Sequence, residues 1–411
     1  MLLERARDDA WSLPLDQLNP AQPDLMAVDA IGPMFERLRK EDPIHYTAES
    51  DFGPYWSITR YADVRAVAED YAAFSSSLGT TLADGTAGGT LAPSFINMDP
   101  PEHDEQRRSI SPALSPANMK VLGPLIRERA GRILDELPIG EEFNWVDKVA
   151  VELTAMTLAT LLDVPQEDRR QLVYWSDVIL ATPGKGLVAT QEQKQAILGD
   201  LRTYFVDLWN QRVNAEPAGD LISMLAHSPA TRHMSPQEYF GMVILLTTGG
   251  NDTTRNSISG SLLAFHRFPD QLRKLREDPR LLPAMVSEAI RWQTPISYTR
   301  RTATRDTEIG GKTIRKGQKV ATWYLSANRD ETVYAQADRL DIERPQARAH
   351  TSFGYGIHHC LGTRLAELQL SIVWEEMLRR FPEIVVTREP RRSYSLQIRG
   401  YDEIPVVIPR R

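Results

Sequence analysis

FGYGIHHC, residues 353–360, holds the only cysteine of the 411-residue chain, in a turn that also carries two glycines and two histidines. A lone thiol is most often a small apolar filler, but its neighbours argue against that here. Gly354 and Gly356 permit tight turns, and Gly362 permits close packing just beyond the thiol. LGTRLAELQLSIVWEEMLRRF, 361–381, then reads as a helix that stops before Pro382, so Cys360 stands at a helix N-terminus. Unpaired N–H groups and the helix dipole stabilise a thiolate there. A thiolate fixed in such a turn is either a nucleophile or a metal ligand. As a nucleophile it needs a base, and His358 and His359 are both close at hand.

Working outward, the single cysteine excludes an intramolecular disulfide framework and any cluster of thiolates. A net charge of −7 gives no global reason to expect nucleic acid. The start, MLLERARDDAW, turns charged after three apolar residues and lacks the apolar core of a secretion signal. The longest apolar stretch lies at 241–246, far short of the roughly 20 residues a membrane span needs. These features predict a cytoplasmic protein with no membrane anchor. No repeat or linker divides the sequence, which predicts one domain over 1–411.

Residues 1–30 read as loop-rich. PYWSITR, 54–60, reads as a strand, and a helix follows over 61–71. The Gly-, Thr- and Pro-rich stretch 78–101 reads as a long functional loop. Helical patterns dominate from about 102 to 292. SPQE, 235–238, is a capping box with proline at the first helical position. The helix it opens runs to about His266, roughly 45 Å at 1.5 Å per residue, enough to cross the domain. Short strands are expected within 306–325, at 393–400 and at 403–408. The fold class is mainly α with small β-sheets.

Three further constellations stand out. TTGGNDTTRN, 247–256, puts two glycines and several threonines inside the long helix, where Gly costs about 1 kcal/mol against Ala. That pattern points to a groove where a ligand approaches the backbone, with Asp252 and Thr253 placed to handle protons. SEAIRW, 287–292, sets Glu288 and Arg291 on one helical face, a spacing that alone describes a common surface pair. PPEHDEQRR, 100–108, sets His103 and Arg107 four residues apart, either for an anion or on a solvated face.

Together these segments resemble the cytochrome P450 family of haem-thiolate monooxygenases. Phe353, Gly356, His358, Cys360 and Gly362 fall on the fixed positions of its cysteine loop, with His358 where arginine is commoner. Glu288 and Arg291 fit its Glu-x-x-Arg helix, and Gly250, Asp252, Thr253 and Thr254 fit the groove of its long central helix. The resemblance implies haem b between that helix and the cysteine-loop helix, with Cys360 as the axial thiolate to iron and Phe353 packed on the cysteine side. It also implies cofactor contacts from Gly250, Gly354 and His358, and propionate contacts from His103, Arg107 and Arg301. Thr253 would hold dioxygen and its waters while Asp252 relays protons; Glu288 and Arg291 would be structural.

Electrons would come from NAD(P)H through a ferredoxin reductase and a ferredoxin, docking near Arg108 and Arg364 on a monomer. GGNDTTRNS, IRWQTP and RRTA look like the bacterial subfamily that hydroxylates the terminal carbon of medium-chain alkanes and fatty acids. The loop 82–98 with Phe95, the run 296–298 with Ile296, and Leu245, Leu246 and Leu396 would line the pocket. Such walls discriminate one methylene by only about 1–3 kcal/mol, so terpenes and aromatic compounds stay open as substrates. A haem protein doing peroxide-driven oxidation or dehydration, a non-catalytic haem sensor and a cysteine hydrolase are the alternative functions.

Overall fold

The computed structural model describes residues 2–84 and 92–410. The segment 85–91, the middle of the expected pocket loop, lies outside the described residues. The N-terminal portion is α1 (Leu2–Ser12), α2 (Gly32–Glu41) and α3 (Tyr61–Glu69). The loop-rich reading of 1–30 is therefore wrong for its first third. Among the residues of α1 whose burial is described, Ala6 and Ala10 are the buried ones, and two small side chains one turn apart give no strong apolar periodicity.

These helices flank a five-stranded sheet. In chain order its strands are β1 (Ile44–Thr47), β2 (Tyr55–Ile58), β3 (Phe74–Ser75), β5 (Thr299–Ala303) and β8 (Lys319–Thr322), arranged β1-β2-β8-β5-β3. Of these neighbours only β2 and β8 run parallel. Between β5 and β8 lies the hairpin of β6 (Thr307–Ile309) and β7 (Lys312–Ile314).

The helical portion follows as α4 (Glu102–Ile110), α5 (Pro116–Asp135), α6 (Glu152–Leu162), α7 (Arg169–Leu180), α8 (Gln191–Val213), α9 (Leu221–His227), α10 (Pro236–Arg267), α11 (Pro269–Glu277), α12 (Leu282–Gln293) and α13 (Thr363–Arg380). α10 forms where the capping box placed it. Ser235 Oγ accepts from Glu238 N, and the Glu238 carboxylate accepts from Ser235 N at 2.8 Å. It packs against α6, α7, α12 and α13, which makes it the central rod of the main apolar core. α13 also packs along α5.

Two small sheets close the C-terminal end. One contains β4 (Glu142–Asn144), β9 (Val385–Val386) and β12 (Pro405–Val407); the other pairs β10 (Arg391–Arg392) with β11 (Tyr401–Glu403). The strand expected over 393–400 is a loop instead. Its bonds run to 295–297: Ser297 N donates to Gln397 O at 2.8 Å and Arg399 N to Pro295 O at 2.9 Å. Only Ile398 is bridged, to Ile296. Among the described residues no helix is long and apolar enough to cross a membrane.

Candidate active site

α10 is buried along most of its length, yet Gly249 in its middle is exposed, with Gly250 and Thr253 half-buried beside it. An exposed backbone at the centre of a core helix borders an internal cleft. Thr253 Oγ donates back to Gly249 O at 3.1 Å, the local bond that Thr offers in a helix interior. One turn earlier, Ile244, Leu245 and Leu246 are also half-buried in succession, so the wall next to the glycines is aliphatic.

The cysteine segment also presents exposed surface, at Gly356, His359 and Cys360. Cys360 is nevertheless surrounded by protein: burial pushes its thiol up, against backbone N–H groups of Gly362 and Thr363 and the charge of Arg107, which pull it down. The turn is fixed by Cys360 N donating to Phe353 O at 2.8 Å and Thr363 Oγ donating to Cys360 O at 2.9 Å. Gly354 and Gly356 have φ of +68° and +66°, the left-handed region that a residue with a Cβ avoids. A Cβ on Gly356 would collide with Ala68 O. Phe353 packs between His350 and His359, with ring centroids 5.3 and 6.2 Å away.

Beside the thiol lies a cationic cluster. The His103 and His358 rings meet edge to face at 4.6 Å. His103 is buried, which rules out the solvated-face reading of its helix; Nδ1 bonds Asp104 at 2.7 Å and Nε2 has no partner among the described residues. Arg107 donates to His359 O at 2.6 Å. Arg301 is buried with one hydrogen bond among the described residues, to Arg300 O at 2.9 Å. His358 pairs Nε2 with Ser76 Oγ at 3.0 Å and leaves Nδ1 without a partner. Its pKa is pushed down to about 2 by burial and by the Arg301, His103 and Arg107 charges. Two desolvated guanidiniums and two orphaned buried imidazole nitrogens suit a dianionic, planar group, because a buried donor left unpaired costs about 1–3 kcal/mol. The residues present therefore fit haem and its carboxylates.

Asp252 is buried on the other side of α10. Its carboxylate accepts from Ser176 Oγ of α7 and is ion-paired with Arg255, which also holds Asp177 at 2.9 Å. These groups, Ser176 excepted, line a cleft of approximately 730 Å³. The sequence reading missed Ser176 and Arg255, although Arg255 shows the same i,i+3 spacing that singled out Glu288 and Arg291. It also missed Ser76, for which no local signal exists.

Glu288 and Arg291 are not a surface pair. Both side chains are fully buried and bound twice, at 2.7 and 2.8 Å. Arg291 donates further to the carbonyls of Asn328, Ala337 and Arg339, and Arg344 reaches Glu288 at 3.1 Å. The pair holds the irregular stretch before the cysteine loop.

The expected pocket residues divide among three clusters. Phe95 is buried in the main core, its ring 6.1 Å from that of His103, and Leu245 and Leu246 border the same core. Leu396 packs instead with Tyr298 and Leu82 in the N-terminal core, and half-buried Ile296 packs against a third cluster that includes Phe74, Val320 and Tyr324. Arg108 and Arg364 are both exposed.

A family model described as cytochrome P450 matches residues 217–396. Linalool 8-monooxygenase of Pseudomonas putida is 34% identical over 400 residues, 94% of this chain and 97% of that protein. Among solved structures, CYP153D17 from Sphingomonas sp. PAMC 26605 is 43% identical with a TM-score of 0.90, covering 97% of this chain and 100% of that one. Cytochrome P450-153 from Novosphingobium aromaticivorans is 42% identical with a TM-score of 0.88, covering 95% and 98%. Sequence likeness over nearly the full length and a shared architecture agree with the thiol, cation cluster and grooved helix: the chain belongs to the cytochrome P450 family and is a monooxygenase of it.

Proposed function

We propose that this enzyme hydroxylates the terminal carbon of medium-chain n-alkanes or fatty acids, with electrons from NAD(P)H delivered through a ferredoxin reductase and a ferredoxin. The observation that carries the substrate class is the run Ile244, Leu245 and Leu246, left half-buried one turn before exposed Gly249 in an otherwise buried helix. A wall of that kind offers dispersion contacts and no hydrogen bond, which suits a saturated chain.

In this reading Cys360 Sγ would hold the iron of haem b, and the N–H groups of Gly362 and Thr363 would temper the thiolate charge. His103, Arg107, Arg301 and His358 hold the propionates, Arg301 and Arg107 by charge and the histidines by hydrogen bonds. Phe353, Gly354 and Gly250 give the close apolar and backbone contacts. Haem, when bound, supplies the activation of dioxygen and the transfer of one oxygen atom to carbon. Thr253 Oγ, its proton resting on Gly249 O, accepts from water beside Gly249 and orders it. Asp252 takes protons from the solvent-lined cleft at Arg255 and Asp177 and passes them to water at Thr253. To do so its carboxylate must turn away from Arg255, so the ion pair marks its resting position. Arg108 and Arg364 are the exposed cations for ferredoxin.

A second reading is hydroxylation of an acyclic terpene, favoured by 34% identity to a protein named for action on linalool. Turnover of n-octane, a medium-chain fatty acid and linalool, each with a ferredoxin system and chromatographic product identification, separates them. The proposal expects 1-octanol or an ω-hydroxy acid as main product. Oxidised linalool with no product from either straight chain would replace it with the terpene reading.

A further inference from the structure

The C-terminal loop that carries Leu396 is held at both stems by one carboxylate from the far N-terminal end of the chain. Arg392 and Arg399 flank the loop, and both reach Asp29. Arg392 donates to Oδ2 at 2.6 Å, and Arg399 donates to Oδ1 at 2.9 Å and Oδ2 at 3.1 Å. Arg267 of α10 approaches the same carboxylate at 3.8 Å. Asp402 of β11 also reaches the first stem, accepting from Arg391 at 2.8 Å and from Ser393 Oγ at 2.7 Å, but Asp29 is the carboxylate shared by Arg392 and Arg399.

The two stems are unequally secured. Arg399 has other anchors: it donates to Gln293 O and Trp292 O at the end of α12, and Gln293 Nε2 donates back to Arg399 O at 2.6 Å. Next to it, Tyr401 N donates to Asn256 Oδ1 of α10 at 3.1 Å. Among the described residues Arg392 makes no other side-chain hydrogen bond and its Nη1 has no partner, while its guanidinium lies over the Tyr401 ring at 4.8 Å. The stems are also joined by the β10–β11 pairing, with Ser393 N donating to Gly400 O at 3.2 Å, and Asp29 adds a carboxylate shared by both arginines. The loop between them lies along 295–297, and Leu396 is buried against the cluster that contains Tyr298.

Resting on the reading that Ile296 and Leu396 line the substrate pocket, we propose that Asp29 is a positioning residue. It clamps the loop 393–398 in one pose over the pocket and thereby sets which carbon of the substrate is oxidised. Without the carboxylate, Arg392, Arg399 and Arg267 lose their shared counter-charge and repel one another, and the loop shifts from its Arg392 stem. A purely structural staple would lower stability but leave the position of oxidation unchanged.

The test uses the haem-loaded enzyme with its ferredoxin system, n-octane as probe, and the variants Asp29→Asn and Arg392→Met. Asp306→Asn serves as control, since it removes ion and backbone bonds in the distant β6–β7 hairpin. The ratio of 1-octanol to 2-octanol should fall about fivefold in both loop variants, the change that roughly 1 kcal/mol produces. It should hold in the control. Exchange of the Ser297 and Arg399 amide hydrogens should quicken in the same two variants. Raised exchange with an unchanged ratio overturns the proposal, as does unchanged exchange. If the wild type gives no octanol, the alkane reading fails by itself, and the ratio of linalool oxidation products is read in the same variants to judge the clamp.

Discussion

Replacing Glu288 by Gln is the sharpest test of how the cysteine loop is supported. The substitution keeps shape and removes one charge, so packing is not confounded. In the native protein that carboxylate faces Arg291 at 2.7 and 2.8 Å and Arg344 at 3.1 Å, and accepts from Asp341 N at 2.9 Å. Arg291 and Glu288 are wholly inaccessible to solvent, so neither guanidinium can turn to water when the charge goes. Breaking a buried pair from one side costs about 3–5 kcal/mol, because a desolvated charge is left uncompensated. Unfolding entropy near 2.1 cal/mol/K per residue gives about 0.9 kcal/mol/K for a chain of this length. The Glu288→Gln variant should therefore unfold about 3–6 °C below wild type by far-ultraviolet circular dichroism. It should also retain less haem per chain, since the stretch before Cys360 is what the pair holds. A midpoint within about 1 °C of wild type, below the smallest cost expected of a buried pair, would refute the reasoning.

Thr253→Ala should still bind substrate, but release more hydrogen peroxide per NADH and less alcohol; fully coupled turnover would assign the proton handling to another group. Burial pushes the Asp29 carboxyl up, but Arg399 and Arg392 outweigh it and hold its pKa below the ordinary value. Its contribution to stability is complete above the unfolded-chain pKa near 3.9 and is lost as pH falls through the lower folded value. Wild type should therefore lose more stability than Asp29→Asn on acidification below about pH 4, and parallel pH profiles would contradict this. Gly356→Ala places a Cβ in the left-handed region, at about 1–2 kcal/mol, and against Ala68 O. It should lower both thermal midpoint and haem content, and a variant with native haem content would contradict the close fit of that turn.

What could be read from the sequence followed from how local the determining interactions are. The capping box of α10, the helix after Cys360 and the glycine turn before it are settled within a few residues, and they stand where expected. The Glu288 and Arg291 spacing was legible, but its burial was not, because Arg344 and three carbonyls complete it from 37 to 56 residues away. Longer separations, 282 and 76 residues, hid Ser76 behind His358 and Ser176 behind Asp252. SYSLQIRG alternates like a strand, yet its polar groups are satisfied by 295–297 and its flanks by Asp29. Alternation describes a two-faced extended segment, and an extended loop between two walls meets that description equally well.

The central claim is that Cys360 is the thiolate ligand of a haem. The absorbance spectrum of the purified protein, reduced and saturated with carbon monoxide, tests it most directly, with Cys360→Ser alongside. The wild type should show the strongly red-shifted Soret band of thiolate-ligated haem, and the serine variant should lack it. A haem-containing wild type without that band, or a serine variant that keeps it, would contradict the assignment.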